Sequence, residues 1–419
     1  MSSISKIHAR EVLDSRGKPT VEVDVACSDG AFGRAIVPSG ASTGRAEALE
    51  LRDAHLPWYE GQGVQQAVDN VNKTLGPALL GHDADDQRAI DTRLLQLDPS
   101  PQKSTLGGNA LLGVSLAIAH AAAASQQIPL YRHINNLLPS RAPAMPLPMT
   151  NMISGGLHAG GNLDFQDVLI TPLGAPDYRT GLEWIVRVYR RLGELLTGAG
   201  FEGRLVGDEG GYGPRLESNR QAVEFVVRAI EAAQLRPGED VTISLDVAAT
   251  HFLQQDGRYR LVTEKDTALS SAEMVDRLEA WVGEFPIASI EDGLAEEDWD
   301  GWQELTRRLG DRIQLVGDDL FTTNEQRIAK GIELGVGNSV LIKVNQIGTL
   351  TEALRAIHVA RGAGYSLVVS ARSGETEDTT IADLAVGVAA EQIKVGSIVR
   401  SERLAKYNQL LRIAEMTGS

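Results

Sequence analysis

Val241-Thr242-Ile243-Ser244-Leu245-Asp246 is a short run rich in β-branched residues that ends on an acid. Five runs downstream repeat the form: Ile287 to Glu291, Ile313 to Asp318, Ser339 to Val344, Ser366 to Ala371 and Gln392 to Val395. Longer amphipathic stretches separate them, and strands alternating with helices in this way predict parallel sheet built from βα units. Earlier candidate strands at 145–153 and 166–171 bring the count to about eight, which favours a closed barrel over an open sheet. The polar residues closing the runs are Asp246, Glu291, Asp318, Lys343 and Lys394, each at or beside a C-terminal end. In a βα barrel that end is the mouth where active sites are assembled. One charged residue at a strand end is commonly a solvent-facing cap, but five in register predict a site.

Upstream, Val21, Val23 and Val25 alternate with Glu22 and Asp24, the period of a strand with one covered face, and Ser28-Asp29-Gly30 supplies a turn before Phe32 to Val37. Helical patterns follow over 45–54, 61–80, 85–96 and 108–125. Ala110 to Ala124 is apolar but interrupted by Gly113, Ser115 and His120. It is shorter than the roughly 20 residues that cross a bilayer, so a buried core helix is expected. Pro139, Pro143, Pro146 and Pro148 crowd the stretch after Leu138 and forbid helix and central strand alike. A boundary near residue 140 is expected there, dividing the chain into 1–140 and 141–419.

The 419 residues include 40 Lys and Arg against 56 Asp and Glu, a formal charge of −16. Such a chain lacks the overall basic character with which proteins grip nucleic acid or anionic lipid, but it has room for a small cationic pocket. The single cysteine, Cys27, cannot form an intrachain disulfide, and no charged-then-apolar leader follows Met1, so a reducing cytoplasm is the expected setting. Gly335-Val336-Gly337 lacks the third glycine of a dinucleotide fingerprint.

Asp246, Glu291 and Asp318 are hard oxygen donors with no thiolate or clustered histidine beside them, which points to Mg²⁺. A cation there could hold a substrate carboxylate and stabilise charge developing on it. Lys343 then makes sense as a base, its pKa lowered from about 10.4 by the neighbouring positive charge. The chemistry suggested is proton abstraction next to a carboxylate. A leaving group on the adjacent carbon would need an acid on the opposite side. The loop Gly207-Asp208-Glu209-Gly210-Gly211-Tyr212-Gly213 offers Glu209 and Asp208. Two further glycine-rich loops, Ser39 to Gly44 and Gly155 to Gly161, look like mobile covers.

These residues make the chain resemble the enolases along nearly its whole length. The matches include Asp14-Ser15-Arg16-Gly17, the Ser39 to Gly44 loop, Gly207 to Gly211 and Ser289-Ile290-Glu291-Asp292. Others are Leu341 to Thr349, Ser373 to Thr379 and Ser401-Glu402-Arg403-Leu404-Ala405-Lys406. The resemblance implies an α+β N-terminal capping domain, a modified C-terminal α/β (TIM-type) barrel, a homodimer or larger assembly, and two Mg²⁺ ions per site. It implies that Asp246, Glu291 and Asp318 hold the first ion and Ser42 helps hold the second together with substrate phosphate. Lys343 would remove the C2 proton, Glu209 assist departure of the C3 hydroxyl, Lys394 contact the substrate carboxylate, Arg372 and Ser373 bind phosphate, and His158 close over the site.

Two site positions depart from the family pattern. Asp167 stands where enolases carry Glu, and Ala371 stands where they carry His. Smaller departures are Gly293-Leu294 and Gly396-Ser397-Ile398-Val399. The first shortens a carboxylate beside the general acid, where a shift of about 1 Å can cost about a hundredfold in rate. The second removes an imidazole beside the phosphate-binding pair. Three readings are open: a housekeeping enolase, a non-catalytic enolase-fold protein, or the same elimination on a bulkier phosphorylated or phosphonylated acid. The third matches a specialised enolase-like enzyme, carboxyphosphonoenolpyruvate synthase of phosphinothricin-type pathways, whose substrate resembles 2-phosphoglycerate with an extra carboxylate on phosphorus.

Overall fold

The computed structural model describes residues 2–40, 44–265 and 267–418. Three strands, β1 (Ile4–Leu13), β2 (Pro19–Cys27) and β3 (Phe32–Ile36), form an antiparallel sheet in that order. Val21, Val23 and Val25 are buried beneath it, while Glu22 and Asp24 pair with Arg10 and Arg34 on the other face. The covered face packs on the helix Gly108–Ser125, whose only incompletely buried residues are His120, Ala124 and Ser125. That helix is apolar and long enough to pass for a membrane span, yet 83% of it is buried, as expected of a core helix.

The expected helix over 45–54 does not form. Its amides are taken by distant partners: Ala48 donates to the Gln346 carbonyl (2.7 Å), Leu49 to that of Gln102 (2.7 Å) and Asp53 to that of Gly63 (2.8 Å). Tertiary hydrogen bonds here override a weak local propensity. The 61–80 pattern resolves into helical pieces from Gln65 to Leu79 with a wider turn at Val71–Leu75. Helices Gln87–Leu97 and Gly108–Ser125 lie close to their expected places. Residues 138–146 form neither helix nor strand.

Eight strands then close a barrel: β4 (Leu147–Ser154), β5 (Asp167–Thr171), β6 (Thr242–Asp246), β9 (Ile287–Glu291), β10 (Gln314–Gly317), β11 (Ser339–Ile342), β12 (Ser366–Ser370) and β13 (Gln392–Gly396). The strands β7 (Tyr259–Leu261) and β8 (Thr267–Leu269) make a separate two-stranded sheet. Around the barrel the order is β10-β11-β12-β13-β4-β5-β6-β9. The all-parallel expectation fails at β5, which runs antiparallel to both β4 and β6. The connection from β4 to β5 holds a single 3-10 turn, Gly156–Ala159, and no crossover helix, so the chain doubles back on itself.

The reversal positions the site. Because β5 runs downward, its first residue, Asp167, lies at the same end as the last residues of its neighbours, in register with Ser154 and Asp246. Below the mouth Met149, Leu169, Val316, Leu341 and Val368 fill the barrel as a separate apolar layer. At the opposite end the Gln314 amide bonds the hydroxyls of Ser339 and Ser366 (3.0 Å each) and the Gln392 side chain (2.7 Å).

Many hydrogen bonds tie the N-terminal sheet and helices to the barrel, among them the following. Ser39 and Gly374 exchange backbone hydrogen bonds of 2.8 and 2.9 Å. Asp91, wholly buried, accepts from the Thr351 amide (2.9 Å) at the start of helix Leu350–Gly362. Asp383, on helix Thr380–Gly387, accepts from the Tyr131 amide (3.2 Å) and the Gln409 side chain (3.0 Å).

Candidate active site

Asp246 and Glu291 end adjacent strands in direct register, and Asp318 follows the next strand, so the three carboxylates stand side by side at the mouth. Lys343 follows β11 and Lys394 lies within β13 across the opening. The Lys394 ammonium is 2.7 Å from both Asp246 Oδ2 and Glu291 Oε2, and Lys343 pairs with Asp318 Oδ2. Burial alone would lower both lysine pKa values, but the facing carboxylates raise them. Asp318 is the partner that holds the Lys343 ammonium against its burial. Asp318 is correspondingly held low despite its burial.

Two ammonium groups do not balance this cluster. Burial, followed by the proximity of Asp246, pushes the Glu291 carboxyl up to about 8, with Lys394 only partly opposing. Glu291 Oε1 is buried and has no hydrogen-bond partner among the described residues. A set of hard oxygens short of positive charge, with one orphaned carboxylate oxygen, fits a divalent cation. Behind Asp318 a second acidic knot forms with Asp292 and Asp319, and the knot's three ligand atoms lie within 4.8 Å of one another. Asp292 accepts from the Asp318 and Asp319 amides (3.0 and 2.8 Å) and so shapes the turn that presents Asp318. Ser42 falls outside the described residues.

Opposite Lys343, the 3-10 turn Gly156–Ala159 turns His158 inward. Its Nδ1 lies 2.9 Å from Asp167 Oδ2 and its Nε2 3.8 Å from Glu209 Oε1. Asn151 donates to the other Asp167 oxygen. Burial pushes the imidazole pKa down, but Asp167 and Glu209 reverse this and hold it at about 9. Burial keeps Asp167 up at about 6 against the pull of His158. The charges of His158, Arg403, Lys394 and Lys343 overcome burial at Glu209 and bring it to about 2. At neutral pH the proton on this side of the site thus rests on His158, between two carboxylates. Of the two acids on the glycine-rich loop, Glu209 is buried facing the site and Asp208 is exposed.

The third side follows β12. Ala371, Arg372 and Ser373 line one small cavity together with His158, Gln166, Glu209, Asp246, Lys343, Lys394 and Gly396. The Arg372 guanidinium meets the Glu47 carboxylate at 3.0 and 3.3 Å and Asn345 Oδ1 at 2.8 Å. Ser373 Oγ accepts from Arg16 (3.3 Å). Buried Arg403 donates to the carbonyls of Arg372 and Ser373 (2.6 Å each), and Lys406 holds Glu375 (2.7 Å), which in turn accepts from the Arg372 amide (3.2 Å). The Ser401 to Lys406 segment thus sets the backbone that carries Arg372 and Ser373.

Among the described residues, the site positions expected from the sequence converge on this mouth, apart from the exposed Asp208. Glu47, Gln166, Arg16 and Arg403 were not expected. Arg16 and Arg403 lie inside motifs already noted, but nothing in spacing alone separates them from structural residues. Glu47 sits where a helix was expected, and its inward aim depends on the loss of that helix.

Comparison with protein families matches the enolase N-terminal domain over residues 4–134 and the enolase C-terminal TIM barrel domain over residues 142–419. A three-stranded sheet with helices, followed by a closed eight-stranded barrel with one reversed strand, is the architecture found. Together the matches cover nearly the whole chain, and they carry a Mg²⁺-dependent, lyase-type function: the chain belongs to the enolase family.

Proposed function

We propose that the protein eliminates water from a 2-phosphoglycerate-like acid that is bulkier at its phosphorus end, giving an enol phosphate or phosphonate ester. The best match is the carboxyphosphono analogue handled by carboxyphosphonoenolpyruvate synthase. The observation that carries this reading is Ala371, which lines the cavity directly beside Arg372 and Ser373 where a family imidazole would fill the wall. The acidic cluster and both lysines at the opposite wall are kept.

In this reading Asp246, Glu291 and Asp318 would hold Mg²⁺, which would supply positive charge for proton loss beside a carboxylate. A second Mg²⁺ would be held with the help of Ser42. Lys343 takes the C2 proton, a role that a cation beside it would support by disfavouring the ammonium form. Lys394 orients the substrate carboxylate, and Arg372 and Ser373 hold the phosphorus oxygens. His158, Asp167 and Glu209 face the departing hydroxyl, with His158 holding the proton for this side. The assembly is a homodimer or a larger oligomer built from dimers.

Retention of Lys343, Lys394 and all three carboxylates equally favours ordinary 2-phosphoglycerate as the competing substrate. Purified protein with Mg²⁺ is expected to convert the carboxyphosphono acid, followed by enol absorbance, and to turn over 2-phosphoglycerate poorly. Turnover of 2-phosphoglycerate at ordinary enolase rates would restore the housekeeping reading. Lys343→Ala should abolish C2 proton exchange with either substrate; retained exchange would remove Lys343 from the base role.

A further inference from the structure

The motif Leu341 to Thr349 contributes Lys343 to the site, and it also carries Gln346, fully inaccessible to solvent. Its Nε2 donates to two carboxylates at once: Asp318 Oδ1 at 3.0 Å and Glu47 Oε1 at 3.3 Å. Asp318 belongs to the cation-binding cluster, and Glu47 is the carboxylate that holds Arg372. One amide therefore spans the two halves of the site.

Its orientation is fixed from behind. Thr323 Oγ accepts from the Lys343 amide (2.9 Å), so its own hydrogen is free to point at Gln346 Oε1, 2.7 Å away. A flipped amide would set its oxygen lone pairs against two carboxylates and turn its N–H groups toward a hydroxyl oxygen that already accepts from the Lys343 amide. Thr323 itself is buried at φ 51°, a backbone region that β-branched residues rarely adopt. Glu47 also accepts from the Gly44 amide (2.9 Å). A fully satisfied buried network of this kind has few alternative arrangements and transmits displacement between its ends.

We propose that Gln346 is a positioning residue that fixes the anion-holding arginine relative to the cation-holding carboxylates, so that occupation of either half raises the affinity of the other. The proposal rests on the reading of Asp246, Glu291 and Asp318 as cation ligands and of Arg372 as an anion ligand. Drawing Asp318 onto a cation holds its Oδ1 in place for Gln346. Gln346 then holds Glu47, and Glu47 holds the guanidinium in one orientation.

The test is calorimetric titration of the full chain with Mg²⁺ in the absence and presence of inorganic phosphate, and the converse. In the wild type each ligand should tighten the other by the same factor, about tenfold. Gln346→Met, which keeps the side-chain length and loses both donors, should reduce that factor to about twofold or less while each ligand alone binds within about threefold of wild type. Thr323→Val, close to isosteric and touching neither ligand, should move the factor in the same direction and serves if the Met variant does not fold. An unchanged factor in Thr323→Val or Gln346→Met would overturn the proposal and assign the coupling to direct contact between metal and anion. Wild type that binds both ligands without coupling overturns this inference alone, whereas wild type that binds neither overturns the underlying reading of the site as well.

Discussion

At the scale of single residues, the sequence separates residue types well and side-chain aim poorly. Asp246, Glu291, Asp318 and Lys394 were legible because strand ends in a barrel have a known destination. The pairing of Lys394 with two carboxylates, and of Lys343 with Asp318, was not legible, because spacing along a chain says nothing about which charges meet across a barrel. Ala371 offers the sharpest residue-scale prediction. Ala371→His places an imidazole in the cavity wall next to Arg372 and Ser373. It should lower kcat/KM on the carboxyphosphono acid by at least about tenfold, with some gain on 2-phosphoglycerate. Steady-state assays on both substrates decide it, and unchanged selectivity would remove Ala371 from the specificity argument.

At the scale of elements, long periodic segments were read correctly and short ones were settled by their surroundings. Helices Gln87–Leu97 and Gly108–Ser125 have enough length for periodicity to speak, whereas 45–54 was claimed by tertiary amide bonds that no local pattern announces. The reversed strand β5 was hidden because the residues of a buried strand look the same in either direction, and only the missing crossover helix reveals its sense. The contact between β3 and helix Gly108–Ser125 shows how tightly such elements close. Gly33 brings the strand backbone against the helix backbone, and a methyl at this position would collide with main-chain atoms of Ala117 and Ala121. Neither side can yield by rotating a side chain. Gly33→Ala is therefore expected to cost about 1–3 kcal/mol or more, read as a lowered midpoint in thermal or urea unfolding. A variant as stable as wild type would show that the sheet can lift off the helix cheaply.

At the scale of the whole molecule, buried carboxyl groups tie the parts together and make stability depend on pH. Burial pushes Asp383 up to about 6 from 3.8, against the hydrogen bonds from Gln409 and Tyr131. The folded state therefore binds its proton more tightly than the unfolded chain. Between about pH 4 and pH 6 the folded state loses stability as pH rises, by roughly 3 kcal/mol at most, and the loss is complete above that window. Asp383→Asn cannot ionise and should not share it, so the stability difference between variant and wild type should grow in the variant's favour from pH 4.5 to pH 7 in urea titrations. A difference that stays constant with pH would place the Asp383 pKa near its ordinary value. The helix Gly108–Ser125 has a consequence of another kind. It leaves the ribosome before any barrel strand exists, yet it has almost no water-facing side in the finished protein. During synthesis its available cover is the sheet β1–β3 and the helical segments between Gln65 and Leu97, already made, so the order of elements along the chain shields the stickiest segment early and leaves its remaining flank exposed until the barrel arrives.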